Sequence, residues 1–167
     1  MSAVTLPERR RSPGATRVLV AIHGSEPAGW GPEAHQTMTM WTRPSVRILA
    51  ILAVPCPPFT SLIPAAARRY RSARAAWEAA ERARLQRVID EIASGLAVAP
   101  EVVWTPVSYR DPGRAIAGHA RAWAADVLLI SAAPAAGLWL GALHDRIIRR
   151  VHCPVLVTPR SASGPGW

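Results

Sequence analysis

Two kinds of segment alternate along this chain. Short, mostly apolar runs read as strands: Arg17 to Ile22 (RVLVAI), Val46 to Val54 (VRILAILAV), Glu101 to Ser108 (EVVWTPVS), Val127 to Ile130 (VLLI) and Pro154 to Thr158. The uninterrupted VLLI run is what a strand covered on both faces requires. Pro106 inside the third run removes a ladder donor and places that strand at a sheet edge.

Between these runs the apolar spacing changes to that of helices. Gly29, Gly31 and Pro32 delay the first helix, with Pro32 near its first position and its end at about Trp41. The strongest pattern runs from about Ala66 to Ser94. There Leu85, Val88, Ile89 and Ile92 share one face of a 3.6-residue period. Arg74–Glu78, Glu78–Arg82 and Arg87–Glu91 set opposite charges four apart on its surface. Gly95 is its predicted C-terminal stop. Asp111 as cap and Pro112 in the first turn open a helix to about Ala124. Leu143, Ile147, Ile148 and Val151 mark the apolar side of the last helix. Strand and helix in alternation predict an α/β fold: an open parallel sheet with right-handed crossovers and helices on both faces.

Composition narrows the class. At 167 residues, half of them apolar, the chain suits one domain spanning residues 17–160, with flexible tails at 1–16 and 161–167. The first tail is polar, carries Arg9-Arg10-Arg11 and has no apolar stretch behind them, so a cytoplasmic protein is expected. Residues 48–67 and 127–143 carry no charge. Pro55, Pro57, Pro58 and Pro64 interrupt the first, and Pro134 and Gly137 the second, so no membrane span is expected. Cys56 and Cys153 lack metal-ligand spacing and read as inert core thiols. Twenty arginines, no lysine and 11 acids give a net charge of +9, which supports weak association with polyanions.

In this order the segments resemble the universal stress protein family over residues 17–160. The resemblance is carried by VLVAIHGS at 18–25, by Asp111-Pro112 with Ala115-Ile116, by ADVLLI at 125–130 and by CPVLV at 153–157. It implies a Rossmann-like, five-stranded sheet in the order 3-2-1-4-5. It also implies homodimers formed through the last strand, here Val155, Leu156 and Val157.

Many members of that family bind ATP through a loop of the form G, two residues, G, nine residues, G-[ST]. Matching positions in this chain are Ser131, Pro134 and Gly141, followed by Ala142, and the loop is about three residues shorter. The aspartate expected after the first strand is His23. Glycines serve such loops by letting backbone N–H groups approach phosphate oxygens, and proline at 134 has no N–H to offer. Gly141, at the start of a helix, retains an anion-favouring position. Losing two or three charge-assisted donors would lower affinity about a thousandfold or more. By resemblance the degenerate nucleotide site comprises Ile22, His23, Gly24, Val54, Ser131 and Gly141.

Other candidate chemistry is thin. His23 reads either as a titratable ligand contact or as a space-filling histidine where a carboxylate has gone. Trp139 either folds over the vacated pocket or forms an apolar patch for a partner. His144 and Asp145 are adjacent in a helix and diverge. His119, His144 and His152 do not converge on a metal, and Ser25 has no evident base. Trp77, Trp104 and Trp123 read as packing residues. Arg68, Arg69, Arg71 and Arg74, with Arg146, Arg149 and Arg150, form either solvated helix faces or a polyanion-binding surface.

The expectation is therefore a non-enzymatic, dimeric protein of stress adaptation, acting through contacts with a protein partner and requiring no cofactor, its nucleotide pocket impaired. The alternatives are a sensor holding ATP or another adenine nucleotide by unusual contacts, and a basic protein associated with nucleic acid.

Overall fold

The computed structural model describes residues 15–24, 26–27, 29–54, 64–108, 112–132 and 145–158. In chain order the elements are β1 (Arg17–Ile22), α1 (Trp30–Met38), β2 (Ser45–Val54), α2 (Pro64–Ala93), β3 (Glu101–Ser108), α3 (Pro112–Trp123), β4 (Val127–Ser131) and β5 (Val155–Thr158). Residues 145–150, between β4 and β5, are helical.

All five strands are parallel and stand in the order β3-β2-β1-β4-β5. The chain therefore starts at the centre, moves outward to β2 and β3, and then crosses back to β4 and β5. Right-handed crossovers in opposite directions put their helices on opposite faces.

The two cores follow this rule. Val18, Val20 and Ile22 of β1, with Ile48, Ala50 and Leu52 of β2, pack under Trp30, Ala34 and Met38 of α1 and Leu85, Ile89 and Ile92 of α2. The alternate residues Leu19, Ala21, Leu49, Ile51, Leu128 and Ile130 pack under Ile116 and Ala120 of α3 and under Ile147. A two-residue side-chain period against a 3.6-residue helical period accounts for both faces. Pro106 lies on β3, which is an edge strand, and is exposed.

Three sequence expectations need correction. The helix expected to reach Trp41 ends at Met38. There the backbone tightens into turns, Met40 N–H to Thr37 O and Trp41 N–H to Met38 O, and Trp41 packs on the core from outside the helix. Ile148, expected on the apolar side of the last helix, is 52 % exposed while Ile147 is fully buried. Neighbouring helical positions diverge by about 100°, so only one of the two can face the sheet. Gly95 follows the end of α2 as expected, but its backbone is not among the positive-φ glycines. The reason for glycine is space: a Cβ at 95 would overlap the His35 imidazole.

At the amino ends of the strands, long-range polar contacts tie the elements together. Asp126 Oδ2 accepts from the Arg17 N–H at 2.9 Å, and the Asp126 N–H donates back to the Arg17 carbonyl at 2.9 Å. The Arg17 guanidinium reaches the Trp123 carbonyl at 3.3 Å. Arg47 bonds Glu101 through Nε at 2.9 Å and lies over the Trp123 ring, 4.7 Å from its centroid.

Candidate functional site

The site begins where β1 leaves the sheet. Five buried apolar residues, Val18 to Ile22, carry the strand to its carboxyl end, and His23 and Gly24 turn it. Gly24 has φ 90°, a left-handed conformation that a side chain resists. The turn leaves two successive N–H groups facing one way, and the Glu26 carboxylate lies across them. The His23 N–H donates to Glu26 Oε1 at 2.6 Å, and the Gly24 N–H to Oε2 at 2.8 Å.

The surroundings are charged and close. The Glu26 side chain is fully buried and that of His23 is 5 % exposed, with His23 Nδ1 3.6 Å from Glu26 Oε1. A Cβ at Gly24 would overlap the Arg84 guanidinium and the Glu81 carboxylate of α2, so that pair rests against the turn. Arg84 binds Glu81 through Nε at 3.0 Å and through Nη2 at 2.7 Å. The hydrogen bond that Arg84 donates to Glu81, and in lesser measure the charge of Glu26, hold the Arg84 guanidinium still further into its charged form than usual.

Across the sheet the carboxyl ends of β4 and β5 are closed by hydrogen bonds. Ser131 pairs with Thr158, and the Ala132 N–H donates to the Thr158 carbonyl at 2.9 Å. The buried indole N–H of Trp30 donates to Thr158 Oγ1, which donates in turn to the Ile130 carbonyl at 3.3 Å. The first turn of α1 is thereby fixed to the last strand.

Of the six residues assigned by resemblance, Ile22, His23 and Gly24 are consecutive at the end of β1. Ile22 is fully buried beneath α1 and opposite Ala50 of β2. Val54 is the last residue of β2, paired through its backbone with Ser108. Ser131 ends β4; the register Val20–Leu129, carried two residues on, sets it level with Ile22. Gly141, Pro134, Ala142 and Trp139 lie outside the described residues, as do Ser25, Cys56, Asp111, Leu143, His144 and residues 1–14 and 161–167 of the tails.

Of the expected dimer strand, β5 has a single strand neighbour among the described residues, β4; Val155 and Leu156 are half-buried and Val157 is 42 % exposed. Among the described residues there is no group of three or more potential metal ligands. No helix among them is long and apolar enough to cross a membrane. Cys153 is half-buried, and burial pushes its thiol up.

Sequence reasoning missed Glu26 and Trp30. A usable signal for Glu26 was its place two residues beyond Gly24, where a side chain can fold back on the turn's N–H groups. Trp30 and Thr158 are 128 residues apart. No local pattern joins them.

The model of the universal stress protein family matches residues 14–159, and the chain belongs to that family. No curated protein matches it. Among solved structures it is similar to the hypothetical protein MJ0577, with a TM-score of 0.61 at 12% identity over 89% of this chain and 98% of that one. A universal stress protein in complex with cAMP gives 0.53 at 19% identity, covering 86% and 95%. UspA from Lactobacillus plantarum gives 0.53 at 20%, covering 86% and 97%. At these identities the likeness speaks to the fold.

Proposed function

We propose that this member of the universal stress protein family is a non-enzymatic, cytoplasmic regulator that acts through protein contacts and works without a bound nucleotide. The observation that carries the reading is the filled turn at the end of β1. A buried carboxylate occupies its N–H groups, and the Glu81–Arg84 pair rests on its glycine. A nucleotide laid across this end of the sheet would bring phosphate charge towards the buried Glu26 carboxylate, while Arg84 is already paired with Glu81, and low-dielectric surroundings strengthen that repulsion. The degenerate positions Ser131, Pro134 and Ala142 favour the same conclusion, because they supply fewer donors than a glycine loop. Purified protein, denatured and chromatographed for released small molecules, is expected to yield no stoichiometric nucleotide. Stoichiometric ATP or another adenine nucleotide would overturn the reading.

The second reading is a nucleotide sensor, favoured by the similar fold of a universal stress protein in complex with cAMP. The same assay decides between the two.

Val155, Leu156 and Val157 are the proposed pairing strand of a homodimer, since β5 leaves an edge on which a second copy can add. Light scattering is expected to give twice the monomer mass; monomer alone would remove this part.

A further inference from the structure

Among the described residues, Glu26 is the only acid or base in the buried class, at 8 % exposure. A carboxylate leaves water unfavourably unless donors replace its hydration. Here each oxygen receives one backbone N–H, from successive residues, at 2.6 and 2.8 Å. Converging main-chain N–H groups of this kind form concavities that hold carboxylate and phosphate oxygens. Gly24, at φ 90°, shapes the turn, and its missing Cβ lets the Arg84 guanidinium approach. The turn lies at the carboxyl end of the central strand, beside the β1–β4 switch point where open α/β sheets take ligands.

We infer that the exit turn of β1 is a two-pronged oxyanion site whose resident ligand is the chain's own Glu26. When that side chain is absent, the site takes a small free oxyanion, a carboxylate or inorganic phosphate, on the N–H groups of His23 and Gly24. The inference deepens the closed-pocket reading and rests on it, because Glu26 is then the group that keeps this end of the sheet occupied.

The test is chemical rescue of Glu26→Ala in the full chain. Melting temperatures are measured for variant and wild type in acetate, in phosphate and in chloride at matched ionic strength. The variant is expected to melt below wild type and to recover several degrees, saturably, in acetate or phosphate, while wild type shows only the general salt effect. A larger recovery in acetate identifies a carboxylate site; an equal or larger one in phosphate identifies a phosphate site. Absence of any saturable difference between variant and wild type overturns the inference.

Should Glu26→Ala fail to fold, Glu26→Gln serves. Its uncharged amide is expected to move the amide resonances of His23 and Gly24 upfield in 15N-labelled protein, and unchanged resonances would refute the site. The two readings fail separately. Nucleotide released from wild type defeats the closed pocket whatever the rescue does, whereas failed rescue without nucleotide defeats the oxyanion site alone.

Discussion

The two ends of the sheet are held by different means. At the amino ends, Arg17, Asp126, Arg47 and Glu101 make polar contacts near water, with the Arg17 and Asp126 side chains 44% and 47% exposed. Each such pair is weak, and losing one leaves solvent to replace it. At the carboxyl ends Glu26, Ser131 and Thr158 are buried polar groups. There a lost partner leaves an uncompensated group in a low-dielectric interior, which costs more. An open α/β sheet is stapled at one end and polar inside at the other, and the interior polar end is where ligand chemistry or its replacement belongs.

The largest test of that asymmetry is Trp30. Its indole is 1 % exposed and joins α1 to the end of β5. Trp30→Ala is expected to cost about 3–5 kcal/mol in chemical denaturation, from lost burial and the cavity left behind. Trp30→Phe keeps most of the apolar area and removes the donor to Thr158, at about 1–2 kcal/mol. If Trp30→Phe melts like wild type, the indole–Thr158 bond contributes nothing and the carboxyl end is held by packing alone.

Next in size is Glu26. Glu26→Gln keeps the shape of the side chain but turns an amide N–H₂ towards one of two backbone donors. A loss of about 1.5–3 kcal/mol is expected, as for hydrogen bonds to a charged group. Asp126→Ala is the matching change at the amino end. It removes an exposed acceptor of the Arg17 N–H and is expected to cost about 0.5–1 kcal/mol, partly masked by salt. Urea titrations of the two variants side by side give the comparison. Equal losses would erase the distinction between the ends.

How much of this could be read along the chain depends on the range of each interaction. Strand positions and the face of α2 were legible because Leu85, Ile89 and Ile92 repeat at the helical period and are all buried. Strand order came through resemblance, since nothing local in the apolar runs says that β1 lies between β2 and β4. Ile148 was misassigned because apolarity marks a stripe wider than the line of contact. The candidate site is legible as a place, the end of β1, but how that place is filled is not. His23 drew attention because it stands where a carboxylate is expected; the carboxylate is in fact present, supplied from Glu26 by a turn that only the backbone geometry of Gly24 reveals. Arg84, more than fifty residues on, reaches that turn through helix packing that no spacing encodes.

The smallest expected effect lies at the amino end and runs in the opposite direction. Helix α3 ends with the Ala125 N–H on the Ala120 carbonyl and the Ala124 N–H on the Arg121 carbonyl, at 2.9 and 3.0 Å. This six-residue closure requires a left-handed residue at its penultimate position, normally glycine. Ala124 holds that position at φ 52°. An alanine there carries a steric penalty of about 1–2 kcal/mol, against which glycine loses about 0.4–1 kcal/mol through its greater freedom when unfolded. Ala124→Gly should therefore stabilise the protein by about 0.5 kcal/mol in urea titration, leaving Ala125 packed on the α3 core and Asp126 aimed at Arg17. A loss of stability would mean that the Ala124 methyl makes contacts worth more than its backbone strain. The amino end would then owe its tolerance to packing rather than to replaceable surface bonds.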